Sequence, residues 1–178
     1  MCLNFLKKYI CGKSPKIEYV DTPDLFSELA EKAQSYNPDD FIKISGRDLK
    51  ITIMRKLGSN LKTGFSYKDK YYYMCPLDLL DDFHQIYRKY IIPKYKSEVF
   101  DCDNYAVDYL AMLSRFAYYI PNQKYSFALG ITNGNFYWVN TNHQVNFFMD
   151  TNKELQFIEP QNLKIYPIYD NKINIVYI

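Results

Sequence analysis

The sequence predicts an α+β fold in which helices pack on one face of an antiparallel β-sheet. Two observations carry this prediction. Apolar residues at helical spacing dominate the chain up to Pro121, and short segments rich in aromatic and β-branched residues follow it. Segregated helices and strands are typical of α+β proteins, because each layer must bury its apolar face against the other. A length of 178 residues with 48% hydrophobic content suits one domain. We expect an N-terminal segment at 1–20 and a single domain at 21–178.

The part of the chain before Pro121 predicts three helices and two extended segments. The first helix, of about 14 residues, starts around Pro23, because proline is favoured at the first helical position. In "LKITIMRKL" (49–57), isoleucines alternate with polar residues and predict a strand, and "YKDKYYYM" (67–74) predicts a second extended segment. Apolar stripes predict helices at 77–92 and 102–119, and we place His84 on the surface of the first of these two.

After Pro121 the segments predict an antiparallel meander. Hairpin turns are predicted at "NGN" (133–135) and "DTNK" (150–153). The predicted strands are "YSFALGIT", "NFYWV", "HQVNFFMD", "LQFIEP", "LKIYPI" and "KINIVYI".

Charge and cysteine content argue against several classes of function. The net charge of +2 is too balanced for a nucleic-acid surface, so the basic stretch at 87–96 is interpreted as a solvated helix end. There is no CxxC pair and only two histidines, so a zinc site and any other cofactor are not expected. No secretory signal or membrane span is recognisable, which predicts a cytoplasmic protein with free thiols. One alternative is that Cys2 and Cys11 flank an acylated amphipathic anchor.

Three residues could form a nucleophilic site. Cys102 begins a predicted helix, whose N-terminus favours a thiolate anion, although the carboxylates of Asp101 and Asp103 oppose it unless they point away. His143 begins one predicted strand and Glu159 ends the next. Pairing through the "DTNK" turn would make these two neighbours. The arrangement predicts a thiol nucleophile, a base and a residue that orients the base.

The order and local motifs of these residues resemble those of the transglutaminase-like branch of the papain-like cysteine enzymes. The matching stretches are "CDNYA" (102–106), "HQVNFFM" (143–149) and "IEPQN" (158–162). The resemblance implies a remote, phage- or bacterium-type member with a papain-like or transglutaminase-like core at about 76–178. It further implies a cysteine-dependent hydrolase or acyltransferase acting on a peptide, protein or small amide or ester, in the host cytoplasm if phage-encoded. Asn104, Val145 and Glu159 depart from the residues common in that family.

Other roles remain open for each of these residues. Cys102 could be a buried structural thiol, His143 a hydrogen-bonded strand residue and Glu159 a turn residue. Gln161, Tyr137 and Trp138 are candidate substrate-binding residues, with a sheet-core role as the alternative for Trp138. Candidate contributors to an oxyanion hole are Tyr95, Lys96 and Ser97.

Two further function classes remain as alternatives. One is a catalytically inactive binding or structural module, possibly a phage accessory protein, that uses the tyrosine-rich surface. The other is a metal site formed by Cys102, His143 and an acid, which the scattered spacing disfavours. Neither a nucleic-acid partner nor stable membrane insertion is expected.

Overall fold

The computed structural model describes residues 22–58, 65–66, 68–90, 101–139, 141–168 and 172–177. The helices in these ranges are α1 (Thr22–Ala33), α2 (Gly46–Leu57), α3 (Leu77–Tyr87) and α4 (Cys102–Tyr119), with a 3₁₀ turn at Pro38–Asp40. The strands are β1 (Lys43–Ser45), β2 (Phe65–Ser66), β3 (Tyr71–Tyr73), β4 (Leu129–Asn135), β5 (Asn142–Met149), β6 (Leu155–Glu159), β7 (Lys164–Pro167) and β8 (Lys172–Tyr177).

The strands form two sheets. β1 and β3 make a small antiparallel pair, and the larger sheet has the order β2-β8-β4-β5-β6-β7. Strands β4 to β7 follow one another as the predicted meander does. The last strand breaks that pattern, because β8 returns to pair with β4 on its other side and also pairs with β2 in parallel. The prediction of a simple meander is therefore wrong at its C-terminal strand.

Helices cover both faces of the larger sheet, which corrects the prediction that they pack on one face. One buried cluster joins α1, α3 and α4 to sheet residues such as Phe148 and Ile158. A second cluster joins α2 to sheet residues such as Val145 and Phe147. Because successive side chains of a strand point to opposite faces, neighbouring residues of β5 enter different clusters. The sheet is thus buried on both sides along most of β5 and β6.

The segment 49–57, predicted as a strand, lies within helix α2. The Ser45 hydroxyl caps this helix by accepting the N–H of Asp48 at 3.0 Å. Leu49, Ile53 and Leu57 are almost fully buried and stand four residues apart, which is helical spacing. The alternation of two isoleucines was the weaker signal, because it covers only three positions whereas the spacing of four covers the whole segment.

The connection from β4 to β5 also differs from the prediction. "NGN" lies inside β4, where a bulge between Asn133 and Gly134 shifts the pairing with β8. The predicted strand "NFYWV" supplies only its first residue to β4 and otherwise forms the turn that leads to β5. The "DTNK" turn does join β5 to β6. The Asp150 carboxylate fixes it by accepting the N–H groups of Asn152 and Glu154 at 2.9 and 2.8 Å.

His84 is buried, which corrects its predicted place on a helix surface. It lies in α3 with 5% of its surface exposed, and its Nε2 is 2.7 Å from the Tyr109 hydroxyl of α4. Burial, with a smaller effect from Arg88, lowers the pKa of His84 to about 4. The imidazole is therefore neutral near pH 7 and serves as a hydrogen-bonded part of the helical core.

Several sequence-based predictions fall outside the described residues. They concern the segment 1–20 with Cys2 and Cys11, the last two residues of the helix predicted at 77–92, most of the basic stretch and the three oxyanion candidates at 95–97. Within the described ranges, none of the helices combines the length and apolar character needed to cross a bilayer.

Candidate functional site

Cys102 is the first residue of helix α4 and is partly exposed. Asp101 precedes it as the N-cap residue, and its backbone N–H donates to the Asn104 side-chain oxygen at 3.1 Å in a capping box. The Asp101 carboxylate takes part in the same box, and Asp103 is exposed in the first turn. Helix capping therefore explains Asp101 without reference to the thiol. The side-chain ligand atoms of 101, 102 and 103 lie within 4.8 Å of one another, and this cluster alone does not define a metal site.

His143 and Glu159 form a close pair at the edge where β5 begins and β6 ends. The register pairs Asn146 with Ile158, so the first residues of β5 lie beside the last residue of β6. His143 Nε2 is 2.7 Å from Glu159 Oε2. An ionised carboxylate can only accept, so we assign the Nε2 proton to the histidine and leave Nδ1 as an acceptor in the neutral ring.

The Glu159 carboxylate accepts hydrogen bonds from three parts of the chain. Besides His143, it accepts Trp138 Nε1–H at 3.4 Å and the backbone N–H of Gln161 at 3.3 Å. Only 5% of the residue is exposed. A buried carboxylate needs such partners, because leaving it without them costs several kcal/mol. Glu159 thereby holds β5, the turn after β4 and the loop after β6 in one arrangement.

Asn146 ties the first turns of α4 to strand β5. It is fully buried, and its Nδ2 donates to the Ala106 carbonyl at 2.9 Å. Cys102 precedes Ala106 by four residues, about 6 Å along the helix. His143 precedes Asn146 by three residues, about 10 Å along the strand. Further along, Leu129, which pairs with Phe148 near the end of β5, lines a cavity with Leu113 and Ala117 of α4, so the helix and the strand run in the same direction. The thiol and the imidazole therefore lie at the same end of the α4–β5 pair.

The thiol and the imidazole are not joined directly. Among the residues that the structure describes, no hydrogen bond links Cys102 to His143. An odd separation along a regular strand sends His143 and Asn146 to opposite faces, and α4 lies on the face of Asn146. The pairing of His143 with Glu159 is thus observed. A catalytic role for Cys102, His143 and Glu159 stays a prediction.

An aromatic patch lies next to the His143–Glu159 pair, and we define it as Tyr137, Trp138 and Tyr166. The Trp138 ring stacks on Tyr166 with centroids 4.1 Å apart and an interplanar angle of 5°. The Trp138 ring also lies 4.8 Å from the Phe136 ring, at a tilted 30°. The patch presents Tyr137, which is 48% exposed, together with the half-buried Trp138 and Tyr166.

Gln161 lies beyond the patch, on the loop that follows β6. Its side chain is exposed, and it lines a surface pocket of about 270 Å³ together with Arg88, Asn162 and Leu163. Substrate binding by Gln161, Tyr137 and Trp138 stays a prediction. Sequence reasoning missed Tyr166, which lies opposite Phe157 in the register of β6 and β7. The alternation in "LKIYPI" could have placed it on that face.

Comparison with known proteins finds similarity of structure only. No family model matches the chain, and no curated protein matches it by sequence. One similar solved structure is a complex of PSL1a with E64, with a TM-score of 0.63 and 20% identity over 76% of this chain and 51% of that chain. Another is Polyporus squamosus lectin bound to the human-type influenza-binding epitope Neu5Acα2-6Galβ1-4GlcNAc. Its TM-score is 0.63, with 18% identity over 76% of this chain and 49% of that chain. The likeness shows a shared fold, and this chain covers about half the length of each of these structures.

This finding corrects the family prediction. The similar structures carry the name of a lectin, so membership of the transglutaminase-like or papain-like cysteine enzymes is wrong, as is the papain-like core predicted for 76–178. The prediction of a cysteine-dependent hydrolase or acyltransferase is overturned with it. The order Cys, His, acid along a chain is a weak criterion, because local strand pairing alone brings His143 and Glu159 together. The alternative prediction of a binding module agrees better with the structural relatives.

Proposed function

We propose that this protein is a binding module for a carbohydrate ligand and that the ligand contacts the aromatic patch. The observation that carries the proposal is the patch itself, with an exposed tyrosine beside the partly buried pair of His143 and Glu159. Sugar rings have apolar C–H faces that pack on aromatic rings and hydroxyl groups that need hydrogen-bond partners. Both kinds of partner adjoin one another at this edge of the sheet.

Each part of the site has a distinct task in this proposal. Tyr137 and Tyr166 provide the apolar surface, and Trp138 contacts both rings and so fixes their positions. His143 Nδ1 accepts a hydrogen bond from a ligand hydroxyl, since Nε2 is engaged by Glu159. The Gln161 amide, which can both donate and accept, reaches hydroxyls on the outer side. Glu159 contacts the ligand indirectly, by orienting His143.

The shared fold supports a binding role but leaves the ligand to be tested. The trisaccharide Neu5Acα2-6Galβ1-4GlcNAc, bound by the lectin of similar fold, is the first probe, followed by its neutral disaccharide part Galβ1-4GlcNAc. Binding is measured by isothermal titration calorimetry or on a glycan array. We expect saturable binding of at least one of the two.

Matched tyrosine variants test the site. Tyr137→Ala should weaken binding about tenfold, because truncating an aromatic contact residue costs more than 1 kcal/mol. Tyr118→Ala is the control, since Tyr118 is an 80% exposed tyrosine on α4 outside the patch. If Tyr137→Ala binds the glycan as tightly as the unmodified protein, the patch is not the site. If no glycan binds, the ligand class is wrong.

A further inference from the structure

A cavity between helix α4 and the start of β4, away from the aromatic patch, has the features of a second ligand site. Its volume is about 220 Å³. The apolar part of its wall consists of Leu110, Leu113 and Ala117 from α4 and Phe127 and Leu129 from the start of β4. An engineered apolar cavity of about 150 Å³ binds benzene, and sites for drug-sized ligands start at about 300 Å³. The volume here therefore suits a molecule with a single ring or a short chain.

Tyr72 also lines this cavity, and its hydroxyl has a donor that no described residue uses. The residue is 2% exposed, and its hydroxyl oxygen accepts the backbone N–H groups of Lys68 and Asp69 at 3.1 and 3.0 Å. A tyrosine hydroxyl also has one proton to donate. Among the described residues that proton has no acceptor. A buried donor left unpaired is costly, so an oxygen atom of a bound molecule would gain by accepting from it.

The polar rim of the cavity favours a neutral ligand over an anion. Asp69 is an exposed residue that lines the cavity, its backbone N–H donates to the Tyr72 hydroxyl, and the Ser126 hydroxyl donates to Asp69 Oδ2 at a long 3.5 Å. A carboxylate accepts hydrogen bonds and repels anions. A ligand hydroxyl can therefore accept from Tyr72 while it donates to Asp69, whereas a ligand carboxylate cannot.

We propose that this cavity binds a small neutral molecule with one apolar ring and one hydroxyl group. The ring packs among the leucine and phenylalanine side chains, and the hydroxyl bridges Tyr72 and Asp69. The cavity involves neither the aromatic patch nor the His143–Glu159 pair, so the proposal stands or falls independently of carbohydrate binding.

Phenol is the probe, with toluene and benzoate as comparisons. Backbone amide shifts of the full chain are followed by NMR during titration with each compound. We expect saturable phenol binding with shifts at Leu113, Ser114 and Phe127. Toluene lacks the hydroxyl and should bind about tenfold more weakly, the value of one good hydrogen bond. Benzoate should bind more weakly still, because Asp69 repels it. Absence of saturable phenol shifts at these residues, or equal affinity for toluene, would overturn the proposal.

Two variants test the same site in different ways, one by removing the Tyr72 hydroxyl and the other by filling the cavity. Tyr72→Phe should weaken phenol about tenfold and leave toluene unchanged. Because this change also leaves two backbone N–H groups without a partner, Ala117→Leu gives a second test by filling the cavity and abolishing binding of both compounds. The control is Ala111→Leu, at an exposed position of the same helix. Circular dichroism confirms folding of each variant. Binding of phenol by folded Ala117→Leu with the affinity of the unmodified protein refutes the location.

Discussion

His84 should make the folded state sensitive to acid. Its pKa is about 4 in the folded protein, chiefly because burial disfavours the charged imidazole, with a smaller contribution from the Arg88 cation. The ordinary histidine pKa is near 6.5. Above this value both folded and unfolded chains carry a neutral imidazole, and the group has no effect on stability. As the pH falls from about 6.5 to about 4, the unfolded chain binds a proton that the folded chain does not, so the free energy of unfolding decreases.

The size of this loss of stability follows from the difference between the pKa values of His84 in the folded and unfolded chains. A difference of about 2.5 pKa units at about 1.4 kcal/mol per unit gives a loss of roughly 3 kcal/mol by pH 4. The conversion is appropriate here because His84 is 5% exposed, so solvent screens it little. A loss of this size is a large fraction of the 5 to 15 kcal/mol by which domains are typically stable (approximate range).

The assay compares urea unfolding near pH 7.5 and near pH 4 for the protein and for His84→Gln. The glutamine amide can still hydrogen-bond to the Tyr109 hydroxyl but does not titrate. The fall in unfolding free energy between the two pH values should be smaller by about 3 kcal/mol in His84→Gln. Asp82, whose pKa is lowered by its hydrogen bonds to Lys32 and Tyr36 against the effect of burial, adds acid sensitivity to both proteins and cancels in the comparison.

The variant Tyr109→Phe shows whether burial or the hydrogen bond to Tyr109 lowers the pKa of His84. It removes the hydroxyl 2.7 Å from His84 Nε2 but leaves the imidazole buried. Because burial is the main cause of the shift, the acid-dependent loss should persist in this variant. Equal losses in the unmodified protein and in His84→Gln, within about 0.5 kcal/mol, would refute the reasoning, whatever the stability of either protein near pH 7.5.

Three further predictions concern the core and the site. Ile53→Ala should lower the free energy of unfolding by about 2–4 kcal/mol, whereas Met54→Ala, at a 47% exposed neighbour, should change it by less than about 0.5 kcal/mol. Asn146→Ala should cost about 1–3 kcal/mol, since the Ala106 carbonyl loses its side-chain donor, and hydrogen exchange should speed up in the first turns of α4 before the rest of the helix. Iodoacetamide should alkylate Cys102 faster than the fully buried Cys75 between about pH 5 and pH 9. If His143→Ala leaves the rate at Cys102 unchanged, the two do not act together.

Local signals in the sequence predicted the His143–Glu159 pair but not the contacts that other parts of the chain make with it. The "DTNK" turn was sufficient to place His143 beside Glu159, because hairpin register follows from the turn. The donation from Trp138 to Glu159 had no comparable signal, since the two are 21 residues apart and the tryptophan lies in a turn that was expected to be a strand. Contacts that depend on how a connection folds over a sheet are set by packing, which local pattern does not encode.

The other wrong predictions also arose where packing, rather than local pattern, decides the structure. The apolar residues of α2 fit both a strand and a helix over a few positions, and the spacing of Leu49, Ile53 and Leu57 was the longer signal. His84 stands between Phe83 and Gln85, and its polar side chain favoured a place on the surface of α3. Its burial depends on α4 packing against that side of the helix, where Tyr109 meets it. Neither the second face of the sheet nor the return of β8 to β4 could be derived from segment patterns alone.

The buried position of Glu159 indicates that it serves to position other groups. Burying a carboxylate beside a histidine adds little net stability, because the cost of removing charge from water offsets most of the attraction. What the arrangement does provide is orientation, since one carboxylate accepts from His143, from Trp138 and from the backbone of Gln161. In the proposed binding site, these residues either contact the ligand or hold the residues that contact it. Glu159→Gln should therefore weaken ligand binding by more than its effect on unfolding explains, because the amide cannot accept from all three donors with the same geometry.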